Sequence, residues 1–176
     1  MITEFEQLQN SVFSKLNLII SHLQPDSECD EYFGHQFQLN HFNIKFRKAK
    51  ITPKKIGQFL TLWKRNPKSK QTEPFTSEDP FDFYMIFCKC NEKSGFFFFP
   101  KNILSQKQIL TTSSKEGKRG FRVYPNWDSP ENKQASKTQN WQKDFFIDFS
   151  DEDFLDKLCQ FACFSEQSKE KCIENL

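Results

Sequence analysis

Glycine is scarce in this chain, with 5 in 176 residues, His occurs only 3 times, and no more than 36% of the residues are hydrophobic. No long apolar run exists. Phe83–Cys88 is the longest, with Phe96–Phe99 shorter still, far short of the about 20 residues a bilayer helix needs. The amino terminus, Met1-Ile-Thr-Glu-Phe-Glu6, has neither the basic region nor the apolar stretch of a signal peptide. The expectation is therefore a soluble, cytoplasmic protein with no membrane contact. A Gly-x-x-x-x-Gly-Lys phosphate loop is missing. His22, His35 and His41 form no ligand pair at metal spacing, and no Cys-x-x-Cys knuckle or recognisable Cys–His pairing occurs. These absences argue against a bound metal and against a cofactor.

A mean hydropathy of −0.72 would suit a disordered chain, but 16% of the residues are aromatic and disordered segments are poor in aromatics. The 22 Phe stand where Leu and Val would ordinarily build the core. At this length folding buries roughly 70% of the unfolded chain's surface, so neither a disulfide framework nor a structural metal is required. Without a secretory signal, the six cysteines (29, 88, 90, 159, 163 and 172) read as reduced, structural thiols.

The formal net charge of +2 conceals an uneven distribution. Residues 1–43 carry one basic and six acidic residues, and residues 144–176 carry three basic and nine acidic. The centre, 44–143, holds 21 basic and 8 acidic residues, a charge of +13 against −11 for the flanks. Lys45, Arg47, Lys48, Lys50, Lys54 and Lys55 fall within eleven residues that contain no acid; Lys64, Arg65, Lys68 and Lys70 extend the run. A second cluster is Lys115, Lys118, Arg119 and Arg122, interleaved with Gly117, Gly120, Tyr124 and Trp127. A third is Lys133, Lys137 and Lys143, with Gln134, Thr138, Gln139 and Trp141. Basic residues displace counterions from phosphates, glycines allow close approach, and amides and rings supply hydrogen bonds and stacking. The pattern points to DNA or RNA as partner.

Apolar spacing predicts a helix over about Thr3–Leu23 from Phe5, Leu8, Val12, Leu16, Ile19, Ile20 and Leu23. Strands follow through Phe33–Leu39 and Phe42–Lys48, the second with Asn43, Lys45 and Arg47 on an outward basic face. Thr52-Pro53 reads as a helix start leading to an apolar face of Ile56, Phe59, Leu60 and Trp63, then a polar surface loop over Asn66–Thr76. Asp82–Cys90 and Phe96–Lys101 read as a central hairpin, its four consecutive Phe suited to a strand covered on both faces. A short helix at Ile103–Gln106, a strand at Phe121–Pro125, a helix at Asn132–Phe145 and a last helix capped by Ser150 complete the chain. One mixed α/β (α+β) domain over 1–176, a central sheet flanked by helices, is the expected architecture.

Asp82 heads the expected central strand and Lys101 closes its partner. Metal-assisted phosphodiester cleavage needs several oxygen ligands around Mg²⁺. The placement resembles the restriction-endonuclease-like fold, in which a strand-initial Asp is joined by an Asp/Glu-x-Lys on the next strand. Here that position reads Phe99-Pro100-Lys101, so the second carboxylate is missing. Asp82 and Lys101 are thus vestigial catalytic candidates. The expected function is nucleic-acid binding without catalysis; a Mg-dependent nuclease and a regulatory or protein-interaction domain are the alternatives.

The segments Phe46-Arg-Lys-Ala-Lys-Ile-Thr-Pro-Lys-Lys-Ile-Gly-Gln-Phe59, Leu62-Trp-Lys-Arg65, Asp82-Phe83, Phe99-Pro-Lys101, Gly117-Lys-Arg-Gly-Phe-Arg-Val-Tyr-Pro125, Trp127-Asp128 and Gln134-Ala-Ser-Lys-Thr-Gln-Asn-Trp-Gln142 together resemble the MepB family of small bacterial proteins. They cover most of residues 31–146 and leave 147–176 as an acidic helical segment. The resemblance implies a nuclease-like α/β fold with nucleic-acid binding as its activity. The Phe run and the Cys-rich, acidic carboxyl-terminal segment depart from the family pattern.

Overall fold

The computed structural model describes residues 4–26 and 28–162. In chain order the elements are α1 (Glu4–Ser11), β1 (Ile20–Pro25), β2 (His35–Leu39), β3 (Phe42–Lys48), β4 (Lys50–Thr52), β5 (Lys55–Thr61), β6 (Trp63–Arg65), β7 (Thr72–Pro74), β8 (Phe83–Cys90), β9 (Lys93–Pro100), α2 (Lys101–Gln106), β10 (Gly120–Val123), α3 (Lys133–Gln142), β11 (Phe146–Asp148) and α4 (Phe154–Ala162). A six-stranded sheet in the order β1-β2-β3-β8-β9-β11 forms the centre. β3 and β8 run parallel, and the other neighbours pair antiparallel. Strands dominate this mixed α+β fold.

Both faces of the sheet are covered because its middle strands are apolar in consecutive positions rather than alternately. Phe96, Phe97, Phe98 and Phe99 are all at most 1% exposed. On one face Ile44, Phe46, Phe83, Met85, Phe96 and Phe98 pack with Phe5 and Leu8 of α1 and Leu158 and Phe161 of α4. On the other, Tyr84, Ile86, Phe97 and Phe99 meet Leu60 of β5, Leu104 of α2 and Phe121 and Val123 of β10. The rings interlock: Phe83 stacks on Phe98 at 4.4 Å between centroids, and Phe97 lies 4.5 Å from Phe146. Each buried Phe contributes roughly 1.5–3 kcal/mol, which is how a chain only 36% hydrophobic holds together.

Several expectations are corrected. The helix expected over Thr3–Leu23 stops at Ser11, gives one short turn at Phe13–Leu16, and becomes strand β1. Asn17 turns the chain with φ 54, and the Ile20 N–H donates to Gln9 Oε1 at 2.8 Å. The backbone of β1 then pairs with β2, leaving Ile19 and Leu23 exposed. Thr52-Pro53 begins no helix. Thr52 closes β4, Pro53 and Lys54 make the turn into β5, and β5 is held on its other side by β10 in a three-stranded sheet. Gly57 enters β5 at φ 85, and a Cβ there would stand 2.6 Å from the Tyr124 ring.

Residues 66–76, expected as loop, include the second strand of a hairpin, β6–β7, whose turn is held by Asn66 Oδ1 accepting from the Lys68 and Ser69 N–H groups. Ser150 is not the cap of the last helix: its N–H and Oγ both donate to Asp148 Oδ1, and α4 begins at Phe154. The helices also fail to flank the sheet evenly. α1 and α4 cover one face, while strands with α2 and α3 cover the other. The hairpin β8–β9 and α3, capped by Asn132 Oδ1 accepting from the Ala135 N–H at 2.8 Å, stand as the sequence predicts. Cys163, Cys172 and the rest of 163–176 lie outside the described residues; among the described residues Cys29, Cys88, Cys90 and Cys159 form no disulfide with one another.

Candidate functional site

Asn43, Lys45 and Arg47 do share a face of β3, as strand periodicity requires, but that face is outward only at Asn43; Lys45 is half-buried and Arg47 is buried. Arg47 has no solvent exposure. Its Nη2 donates to Asp26 Oδ2 at 2.5 Å and its Nη1 to the Phe46 carbonyl at 2.8 Å. This corrects its reading as a phosphate-binding group: a sealed, paired guanidinium cannot reach a nucleic acid. Lys45 is half-buried with its amine 4.7 Å above the Phe75 ring. Burial first, then the charge of Arg47, push its pKa down, against the pull of Asp26 and Asp79.

Other members of the basic run are paired. Lys64 donates to Asp79 Oδ1 at 2.6 Å, Arg65 Nε to Glu28 Oε1 at 2.9 Å, and Lys50 to Glu31 Oε1 at 2.9 Å. Lys48 lies 5.9 Å from the Phe87 ring. Arg119 donates to the Thr72 carbonyl and to Glu116. Asp26, Glu28 and Glu31 all belong to the acidic amino-terminal flank, so that flank sits on part of the basic centre.

Elsewhere basic side chains converge without such cover. A groove of about 670 Å³ is lined by Lys54 and Lys55 from the β4–β5 turn, Lys107 after α2, Lys118 and Arg122 around β10, and Gln134, Thr138 and Trp141 of α3. Glu131 is the acid among its lining residues. Arg122 is fixed by donating to the Gly57 carbonyl at 3.0 Å and to Thr52 Oγ1 at 2.7 Å. Gln142, fully buried, joins α3 to β10: its Oε1 accepts from the Tyr124 N–H and its Nε2 donates to the Arg122 carbonyl. Trp141 is half-buried, 5.3 Å from Phe99 on the core side and with the Lys107 amine 5.3 Å from its ring. Lys137 is exposed on α3 outside the groove lining, and the Gln139 amide is engaged in donating to the Pro125 and Asp128 carbonyls. Lys107 is the groove residue that the sequence reading missed; nothing in its polar neighbourhood distinguishes it from a solvated lysine.

Asp82 and Lys101 are brought together by their backbones, with the Lys101 N–H donating to the Asp82 carbonyl at 2.9 Å. Their side chains go to other partners. Asp82 Oδ2 accepts from the Asn43 N–H at 2.7 Å, and the Lys101 amine donates to the Asp79 carbonyl at 3.1 Å. Phe99, opposite Tyr84 in the β8–β9 ladder, is sealed among Phe97, Phe121, Trp141 and Phe145. Asp79, one of the few carboxylates of the basic centre and given no role from the sequence, is firmly held. Burial opposes its ionisation, but hydrogen bonds from Lys64 and from the Thr76 N–H and hydroxyl outweigh that and hold its pKa below the ordinary value. Among the described residues no group of three or more His, Cys, Asp or Glu stands where it could hold a metal ion, and no helix is long and apolar enough to cross a membrane.

The segments that build this arrangement also carry the likeness to known proteins. No curated protein matches the chain. A solved structure of MepB is 32% identical and superposes with a TM-score of 0.75, over 85% of this chain and 99% of that one. The MepB-like family model matches residues 26–148, from the Asp26 that neutralises Arg47 to the last residue of β11, and the chain therefore belongs to the MepB-like family.

Proposed function

We propose that the protein binds nucleic acid through the groove formed by Lys54, Lys55, Lys107, Lys118 and Arg122 with α3. The observation that carries this reading is that basic residues from three separate stretches of chain line one concavity with a single acidic lining residue. Phosphates would be met by lysines that have few protein partners to lose, and affinity would be strongly salt-dependent. Arg122, held by Gly57 and Thr52, is preorganised for such contact.

The nuclease-like fold implied by the family resemblance is part of the same reading, and so is the absence of catalysis. Phe99 occupies the place of the second carboxylate and is packed into the core, which supports a binder over a cutter. The pairs Asp26–Arg47, Glu28–Arg65 and Glu31–Lys50 support a further element: the acidic amino-terminal flank withdraws part of the basic centre from ligands and leaves the groove as the contact surface.

Fluorescence anisotropy of labelled duplex and single-stranded DNA and RNA at low salt tests the reading. Binding that weakens as salt rises is expected; no binding to any of the four would end it. The same substrates incubated with Mg²⁺ are expected to stay intact.

A further inference from the structure

A second concavity, of about 730 Å³, shares no lining residue with the basic groove. It lies at the edge where β2 and β3 meet the β6–β7 hairpin, with Trp63, Phe75 and Phe81 among its walls. Three carboxylates line it, and each is already matched: Asp26 by Arg47 at 2.5 Å, Glu28 by Arg65 at 2.9 Å, and Asp79 by Lys64 at 2.6 Å. Lys45 also lines it, and among the described residues this amine has neither a hydrogen bond nor an ion pair; what it has is the face of Phe75, 4.7 Å away.

An ammonium withdrawn from water without an anion is costly, because each N–H loses a water acceptor and the charge loses its hydration. A ring face returns only about 0.5–2 kcal/mol. Lys64 also meets Glu73 at 3.8 Å, and Lys45 is the lining cation that, among the described residues, stands at an aromatic wall with no ion pair of its own. A ligand bearing one negative charge would complete the pairing. A dianion fits less well, since Asp26 and Asp79 act on Lys45 electrostatically and would repel the second charge. Planar apolar groups suit the walls.

We propose that this cavity binds a singly charged organic anion with a planar apolar body, and that Lys45 is its anchoring cation. The chemistry has two sources: a free aryl carboxylate, or one phosphodiester beside a base in a nucleic-acid strand. The site is independent of the basic groove, and its test separates the two.

Benzoate and a dinucleoside monophosphate are titrated separately into the full-length protein at low salt, following backbone amide shifts. Saturable binding by benzoate alone assigns a free anion; by the dinucleoside alone, a strand. Lys45→Met weakens whichever binds by about tenfold or more, the worth of one charge-assisted contact. Lys89→Glu, an exposed charge change outside both concavities, leaves it unchanged. Lys45→Gln, which keeps length and polarity, serves should the Met variant fail to fold. The proposal is overturned if neither probe binds at millimolar concentration, or if binding survives in a folded Lys45 variant.

Discussion

Arg47 lies within 2.5 Å of Asp26, and the arginine side chain of that pair has no solvent exposure while the aspartate keeps 22%. The pair ties the β3 strand to the chain just beyond β1. Removing Asp26 leaves a buried guanidinium without its anion, for which roughly 3–5 kcal/mol is typical. Asp26→Ala is therefore expected to lower the urea midpoint sharply. Asp26→Leu with Arg47→Met, which removes both charges, should recover most of the loss. A double-mutant cycle measures the coupling.

Phe99 stands where the proposed nuclease-like reading would put a second carboxylate. Because it is fully buried among four aromatic neighbours, Phe99→Ala should cost about 3–5 kcal/mol. Phe99→Asp should cost more, since it also buries a charge, and should yield no Mg²⁺-dependent cleavage. Circular dichroism melts with a plasmid-nicking assay check both.

In the groove, each lysine that meets a phosphate is expected to remove about 0.9 from the slope of log K against log salt when lost. Lys54→Glu and Lys118→Glu should each weaken DNA or RNA binding and flatten that slope, while their melting temperatures stay near wild type because both side chains are exposed. Arg47→Met is the contrast: destabilised, with little effect on slope.

Asp79 makes stability depend on pH. Its folded pKa lies below the ordinary 3.8, so its contribution is complete above the unfolded value and is lost as pH falls through the folded one. Asp79→Asn should lower the urea midpoint at neutral pH, with the difference from wild type shrinking below about pH 4. Urea titrations at a series of pH values read this directly.

Asp128 has the opposite sign. Burial raises its pKa against the charge of Lys93, and Oδ2 is buried without a hydrogen-bond partner. The native state thus holds its proton more tightly than the unfolded chain, and stability declines as pH rises through that window. Asp128→Asn is expected to be more stable than wild type at neutral pH and to lose the advantage at about pH 3, where both states are protonated.

The β2–β3 and β8–β9 strands were legible because their patterns leave no competing period: alternation in Phe42–Lys48 and an unbroken apolar run in Phe96–Phe99. The β5 strand was not, because Ile56, Phe59, Leu60 and Trp63 recur at helical steps behind a good cap, Thr52-Pro53. Pairing with β4 and β10 overrode that local preference. Similarly, the apolar spacing that begins α1 runs on past Ser11, yet the open edge of β2 takes Ile20–Pro25 as a strand.

Charge followed the same division. Composition along the chain by itself determined that the centre is basic, the ends acidic and the core built on Phe, since these are sums over residues and need no geometry. Only the tertiary structure decided which cations remain available. Lys54 and Arg47 look alike in the sequence, but one is exposed on a hairpin turn and the other is sealed beneath a second layer, paired with Asp26. Strand periodicity tells which side chains share a face; what covers that face depends on segments far away in the chain.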